Sequence, residues 1–555
     1  MRLSTIGQMA FLLVHSPLVH SRLGPTICTP APGSTVTPAF VKQVIVGLAP
    51  LMYARVDPIV SPNKASAHVH LGMGGSNWNA SMEADTALDS SCTSTQAKAD
   101  NSVYWTPRLS FRSPQNGSYI SVPATQEKVY YSSSMPTSDK IVAFPPGFQM
   151  LIGDPFKRSQ PDATPLEGGG IYLGRDSGQG IPQPVQFTCP TADGSNPYAK
   201  QNPYGNSGLG FPMANCDASG TGLRYDVYFA DCWDGKSLTQ DLTAPTSGRN
   251  YSSTAGTKNG EQNCPAGWTH FPAMHMEVYW DIDSFKTSGV WNPASDAWPF
   301  ELAQGDPLGF GLHGDYFAGW GKDTLQTLID ECYTCDGDNE VDACLDPSVI
   351  NTPDEMNACN VPSPVDEPIW GWLENQPGCN KRQSGPQEAV QATCEEAGLS
   401  APTTQHTDVP GWTYQGCYLD YVNYERLLTG TSASLPNPVT PEWCAGFCSG
   451  TGTADNAQKA QTTKYQWMSL EYSSQCFCGN DPQLLKTPSN IAANGLEQGM
   501  CNSVCTADQT QICGGSNGQA SFYSIDSADT SSSKKEKRVS HLHRHAHAHA
   551  HDSSF

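Results

Sequence analysis

Twenty cysteines in a chain of 555 residues constrain its folding more than any other feature. They are interleaved with Gly, Pro, Ser and Thr and form no paired C-x-x-C modules of zinc-ribbon spacing, so they predict a disulfide framework built in an oxidising compartment. Secretion to the extracellular space or cell wall is the simplest consequence. Eight of them (Cys417, Cys444, Cys448, Cys476, Cys478, Cys501, Cys505 and Cys513) crowd into about a hundred residues near the C-terminal side, and twelve are spread over the rest. Both counts are even, as two separately closed domains require, while the connectivity stays open.

Charge narrows the partners. Fifty-four acids against 31 bases give a net charge of −23, which disfavours nucleic acid and anionic lipid as partners. No run of about 18 apolar residues exists, so no transmembrane helix is expected. Residues 1–39 are read as a signal peptide and N-terminal segment: Arg2 starts a positive region, although the apolar stretch from Met9 to Val14 is short for a signal. The sequons at Asn79, Asn116 and Asn250 fit a secreted glycoprotein. A β-rich domain is expected over 40–397, where Cys344, Cys359, Cys379 and Cys394 staple an acidic, Pro-rich segment; a linker over 398–410; and a compact module over 411–526. Residues 527–555, with Lys537-Arg538 and alternating histidines from His541 to His551, cannot bury a core and read as a disordered tail.

Strand-like runs rich in Val, Ile, Tyr, Phe and Trp dominate the first three hundred residues: Ala67 to Met73, Tyr104 to Phe111, Lys128 to Ser132, Ile141 to Met150, Arg224 to Trp233 and Met274 to Phe285. The fold class that follows is mainly β, a large β-sandwich or jelly-roll-like domain with a small disulfide-rich α+β module. Helices are expected at Lys322 to Cys332 and after Thr440, where Thr440-Pro441 is a helix-start signal. That second helix places Cys444 and Cys448 on one face. Cys501 and Cys505 repeat the spacing, so two cysteine-bearing elements could be pinned to a sheet containing Cys476-Phe477-Cys478.

The run Gly416-Cys417-Tyr418, Arg426-Leu427-Leu428, Cys444-x-x-x-Cys448, Leu470-Glu471-Tyr472, Cys476-Phe477-Cys478-Gly479-Asn480, Cys501-x-x-x-Cys505 and Cys513-Gly514-Gly515 closely resembles the WSC domain. That resemblance implies a small extracellular carbohydrate-binding module associated with cell-wall glucan. Sugar binding uses aromatic faces and planar polar side chains, for which Tyr418, Tyr472 and Asn480 are candidates among many aromatics that a small core also needs.

In the large domain, polar groups recur at strand spacing, which places them on one face of each strand. His68 and His70 form H-x-H; His275, Glu277, Tyr279, Asp281 and Asp283 share parity; His313 and Asp315 form H-x-D after the turn-like Gly305-Asp306-Pro307-Leu308-Gly309. Two functional readings follow. His68, His70, His270 and His313, with Asp315, could hold a divalent transition metal as cofactor. Alternatively, a carboxylate pair drawn from Asp57, Glu277, Asp281 and Asp315 could act on a glycoside as acid and base or nucleophile. A third reading makes these groups core residues hydrogen-bonded across strands. Leu71 to Ala80 holds no Glu, which disfavours a cupin centre, and no nucleotide or flavin fingerprint is present.

The ordered motifs Arg55-Val56-Asp57-Pro58, His68-Val69-His70, Tyr104-Trp105-Thr106-Pro107, Phe144-Pro145-Pro146-Gly147-Phe148, Cys232-Trp233-Asp234-Gly235, Cys264-Pro265 with His270, and His313-Gly314-Asp315 resemble a secreted fungal family of unknown function commonly fused to WSC modules. Lys236 to Gly260 lacks the further histidine that family members usually carry there. The resemblance implies a role at cell-wall polysaccharide. Together these readings predict a wall-associated protein whose WSC module binds glycan while the large domain hydrolyses polysaccharide; oxidative cleavage at a metal is the second enzymatic reading, and a non-catalytic wall lectin or structural protein is the alternative.

Overall fold

The computed structural model describes residues 43–525 apart from 133–136, 161–162, 166–170, 174–184, 240–250, 253–254, 257–261, 333–340, 391–408, 423–424, 435–436, 451–462, 481–494, 497–500, 509–510, 516–518 and single positions at 362, 366, 379 and 502. The expected signal segment, His-rich tail, Asn250 and most of the expected linker lie outside the described residues.

The large domain is a sandwich of two antiparallel sheets. Its strands are β1 (Gln43–Leu48), β2 (Pro50–Ala54), β3 (His70–Gly74), β4 (Val103–Pro107), β5 (Ala124–Ser132), β6 (Gln149–Gly153), β7 (Val185–Thr188), β8 (Ser207–Gly208), β9 (Leu223–Tyr228), β10 (Ala273–Trp280) and β11 (His313–Phe317). One sheet has the order β1-β5-β10-β9-β7-β8 and the other β2-β3-β4-β11-β6. Val, Ile, Tyr and Trp fill these strands because branched and aromatic side chains pack well on a pleated surface.

A single glycine shows how the faces are disposed. A Cβ on Gly314 of β11 would meet Val227 of β9 at 2.9 Å and Met276 of β10 at 3.0 Å, so Gly314 faces the opposing sheet at close approach. Strand alternation then turns His313 and Asp315 to the outer face of the five-stranded sheet. By the same alternation, Leu71 and Met73 of β3 enter the shared core with Tyr104, Met150, Val227, Met276 and Val278, and His70 points outward. On the other sheet Met274, Met276, Val278 and Trp280 point in, leaving His275, Glu277 and Tyr279 outside.

Two expectations about local structure are corrected. Of the run Ile141 to Met150, only the end is strand, because Pro145-Pro146 cannot donate to a ladder and Gly147 turns the chain at φ 77°. The run Met274 to Phe285 breaks after Trp280 into the short helix Asp283–Thr287, started by Asp281, whose carboxylate accepts from the Ser284 amide at 3.0 Å. The helix Lys322–Glu331 matches its periodicity.

The C-terminal module is a six-stranded sheet crossed by the helix Pro441–Cys448, which Thr440 caps by accepting from the Trp443 amide. Disulfides Cys444–Cys476 and Cys448–Cys478 staple this helix to the strand Gln475–Gly479. The second expected staple is different: Cys501 reaches Cys417 and Cys505 closes a short loop to Cys513. In the large domain Cys92–Cys359, Cys189–Cys216, Cys232–Cys264 and Cys332–Cys344 are bonded, so every disulfide among the described residues stays within its own module.

The modules touch. The Val504 amide donates to the Trp370 carbonyl at 3.2 Å, and Leu373 is buried against Val504 and Ile512. Leu373 also pairs with Tyr119 of the large domain through two 2.7 Å backbone bonds. The contact therefore continues a β-bridge already anchored in the first module.

Candidate metal centre

Three buried imidazoles meet on the outer face of the five-stranded sheet. His70 opens β3, His313 opens β11, and His68 sits in the connection leading into β3, its carbonyl accepting from the Ser66 hydroxyl at 2.6 Å. His68 Nε2 and His313 Nε2 are 3.1 Å apart, and one ligand atom from each of the three rings lies within 4.8 Å of the others. Nitrogens bound to one tetrahedral metal at about 2.0–2.1 Å stand roughly 3.3 Å apart, which the His68–His313 spacing nearly matches.

The backbone fixes how two of the rings present themselves. His70 Nδ1 bonds the Val56 carbonyl at 3.0 Å and His313 Nδ1 the Gly311 carbonyl at 2.8 Å. A neutral imidazole that donates from Nδ1 carries its lone pair on Nε2, the arrangement that carbonyls behind the ring impose on metal-binding histidines. His70 Nε2 and His68 Nδ1 are buried with no hydrogen-bond partner among the described residues. Gly311 is itself held: its amide donates to Asp306 at 2.7 Å, while its carbonyl also accepts from Gln304 at 2.7 Å. The Gly305-to-Gly309 turn foreseen in the sequence thus positions His313.

Burial keeps all three rings neutral. Desolvation, aided by the neighbouring imidazoles, drives His68 and His70 well below the ordinary histidine range, and desolvation lowers His313 to about 4. Neutral imidazole is the metal-binding form.

His68 and His313 line a cleft with Asp57, Ser61, Ser66, Arg158, Gln304 and Asn380. Asp57 Oδ1 accepts from the Ile59 and Val60 amides, both at 3.0 Å, closing the Asp57-Pro58 turn; its other oxygen has no partner among the described residues. Burial raises its carboxyl to about 6. The interior measures about 50 Å³, enough for a few waters or a hydrated ion but too small for a sugar ring. Its rim is apolar. Val60, Phe156 and Val390 are 39%, 41% and 74% exposed, three of the eight large hydrophobic side chains that the described surface leaves exposed.

The remaining candidates lie elsewhere. His270 is not with the other histidines: it bridges to Cys232 on a small separate sheet and meets Asp139 at 3.3 Å, held there by the Cys232–Cys264 disulfide. Glu277 is on the opposite face of the sandwich, because β10 belongs to the other sheet. There Arg224 binds Glu277 and Asp226, each at 2.9 Å, Tyr130 and Tyr279 donate to Glu277, and His275 bonds Asp226 at 3.0 Å between the stacked rings of Tyr130 and Tyr228. Asp281 is spent on the helix start. Asp315, fully buried, lies two residues beyond His313 on the same face of β11. The four carboxylates thus occupy at least two faces and form no single set. Arg158, Gln304, Asn380 and Phe156 carry no local motif that would have singled them out in the sequence.

In the C-terminal module Tyr418 is half-buried edge-on against Phe522, while Tyr472 is 44% exposed at φ 48° in the turn after Glu471. Asn480, at the far end of the same hairpin, accepts from the Gln466 amide at 2.9 Å. Arg426 lies 3.9 Å over the Phe477 ring and bonds Asp420 and Glu471 at 2.8 and 3.1 Å. Burial and the neighbouring Asp420 carboxyl raise Glu471 to about 9. Asn79 is partly exposed and Asn116 exposed.

Comparisons with known proteins agree with this division. A protein of Chaetomium globosum named as a candidate "fungistatic metabolite" is 30% identical over 129 residues, covering 23% of this chain and 50% of its own. Kremen protein 1 of Homo sapiens is 34% identical over 100 residues, 18% of this chain and 17% of its own, and a WSC domain-containing protein of Arthroderma benhamiae 33% over 125 residues, 22% and 14%. The chain therefore spans half the length, or far less, of these relatives. The family of the domain of unknown function DUF1996 matches residues 57–320, and the WSC domain family matches residues 414–515. The chain thus carries a DUF1996 domain followed by a WSC domain.

Proposed function

We propose that this is an extracellular, wall-associated protein in which the WSC module, over about 411–526, binds wall glycan and the β-rich domain, over about 40–397, hydrolyses polysaccharide with a divalent transition metal on His68, His70 and His313. The observation that carries the enzymatic part is the convergence of three buried imidazoles, of which His70 and His313 are oriented by backbone carbonyls, His68 and His313 meet through Nε2, and His70 Nε2 and His68 Nδ1 have no hydrogen-bond partner among the described residues. A divalent metal held by His68, His70 and His313 would supply Lewis acidity, lowering the pKa of a water in the cleft. Asp57, whose second oxygen has no partner among the described residues, lines the same cleft and would take a proton from the attacking water and return it to the leaving glycosidic oxygen as the C–O bond breaks. The glycan lies across the mouth, where Phe156 offers an aromatic face to the C–H face of a pyranose.

The disulfide framework supports an oxidising destination, and no helix among the described residues is long and apolar enough to cross a membrane. Docking of the WSC module against the Trp370 segment holds a glycan-binding surface near the large domain, raising the local concentration of insoluble substrate.

Product analysis on wall β-glucans tests the reading. The full chain should release new reducing ends that disappear with a chelator and in His313→Ala, while pull-down by insoluble glucan persists in both. Oxidised chain ends would overturn hydrolysis. A lower melting temperature in His313→Ala without any turnover in the wild type would make the histidines core residues.

A further inference from the structure

A second cleft opens at the edge of the sandwich, on the far side of β2 from the imidazoles. It measures about 780 Å³, within the range of sites that take small organic ligands, and lies between the β1–β2 connection, β5 and the helix Pro353–Ala358. Its lining includes Gln96, Glu127, Asn351, Asn357 and Asn360.

Glu127 is the unusual member. It shares the inward face of its sheet with its cross-strand partners Leu48 and Val278 and is 6% exposed, yet its carboxyl has no hydrogen-bond partner among the described residues, and Oε1 is fully buried. Burial alone pushes the group up to about 8. Leaving a buried carboxyl unbonded costs stability unless something outside the protein satisfies it.

The amides around it also have spare capacity. Gln96 Oε1 accepts from the Gly47 amide at 3.1 Å, but its Nε2 has no partner among the described residues. Asn357 and Asn360, both exposed at the mouth, donate to the Pro353 and Asn357 carbonyls at 2.8 and 3.2 Å, and their solvent-facing side-chain oxygens have no described protein partner. An unpaired donor, two unpaired acceptors and a carboxyl that can serve as either suit alternating hydroxyls. A net charge of −23 disfavours an anionic ligand.

We propose that this cleft is a neutral saccharide site of the DUF1996 domain, with Glu127 and Gln96 at its floor and Asn357 and Asn360 at its wall. The saccharide class rests on the glycan reading above; the site itself is separate from both the imidazoles and the WSC module. Occupied together with the WSC surface, it would grip one polysaccharide at two points.

Calorimetric titration of the full chain with laminaritriose tests it, using wild type, Asn360→Trp, Glu127→Gln and Tyr472→Ala. One binding event should vanish in Asn360→Trp and weaken at least five-fold in Glu127→Gln, at unchanged melting temperature, and persist in Tyr472→Ala. Asn357→Ala replaces the tryptophan variant should that one unfold. A titration unaffected by every cleft variant overturns the site, and so does a cleft that binds only a divalent cation or an amine. Loss of all binding in Tyr472→Ala would overturn the cleft while leaving the WSC reading intact; a cleft event surviving without any WSC event would do the reverse.

Discussion

The two outer faces of the sandwich each carry a histidine-containing cluster, in opposite electrical states. On the five-stranded sheet, His68, His70 and His313 are buried among one another and neutral, and His68 Nδ1 and His70 Nε2 have no hydrogen-bond partner among the described residues. On the six-stranded sheet, Asp226, His275 and Glu277 also lie within ligand distance of one another, but Arg224, Thr188, Tyr130 and Tyr279 already occupy their oxygens. The residue types differ, three imidazoles against an acid, an imidazole and an acid, and so does the bonding: the carboxylate oxygens of the second group all have partners, whereas the first leaves His68 Nδ1 and His70 Nε2 without one among the described residues.

Removing the cation of the closed network gives the largest expected effect on stability. Arg224→Met would strand Asp226 and Glu277, whose side chains are 1% and 6% exposed, and should cost on the order of 3 kcal/mol in chemical unfolding. Metal content should not change. His68→Ala, His70→Ala also loses stability, through the bonds to His313 and Val56 and the cavity left behind, but strands no charge, and it should abolish metal retention where Arg224→Met does not.

The open site should respond instead through its supports. Asp306→Asn weakens the hold on the Gly311 amide, and so the aim of His313; metal affinity should fall about 10–100-fold in competition with a chromophoric chelator. An unchanged affinity would show that the turn does not position the ring. Phe156→Ala should raise KM for wall glucan several-fold, leave kcat near wild type, and shift stability by no more than about 0.5 kcal/mol, as exposed substitutions do.

The smallest effect lies on the pH axis. Burial raises the Asp226 carboxyl, but the His275 hydrogen bond and Arg224 charge outweigh it and hold the group below its ordinary value. A depressed carboxyl stabilises the fold above its unfolded value near 3.8, and that contribution is lost as pH falls through the folded value. His275→Phe should therefore move the acid-unfolding midpoint to higher pH, while His70→Phe should leave this low-pH limb in place. Equal acid limbs in all three proteins would mean that the network does not hold Asp226.

Much of this architecture was legible in local pattern. Val, Ile and aromatic runs bounded by Gly and Pro marked most strands, and parity along β10 and β11 told which side chains share a face. Thr440-Pro441 marked a helix that presents Cys444 and Cys448 together, and both reach the strand named for them. Local pattern failed where the deciding partner is distant. His68 and His313 are 245 positions apart, and nothing local says that His313 joins them while His270 does not. That choice was made by which sheet each strand enters. Phe156, Asn380 and Glu127 were invisible for the same reason: the first two reach the cleft from aperiodic loops, and Glu127 reads as an ordinary acid in an alternating strand.

Metal analysis of the purified full chain, with the six alternating C-terminal histidines replaced by serine, tests the central claim most directly. The wild-type core should retain close to one transition-metal ion per chain; His68→Ala, His70→Ala should reduce it to background at unchanged far-ultraviolet dichroism, and His275→Phe should leave it untouched. Absence of metal from the wild type after incubation with zinc, copper or manganese, or its retention in the double variant, would contradict the account.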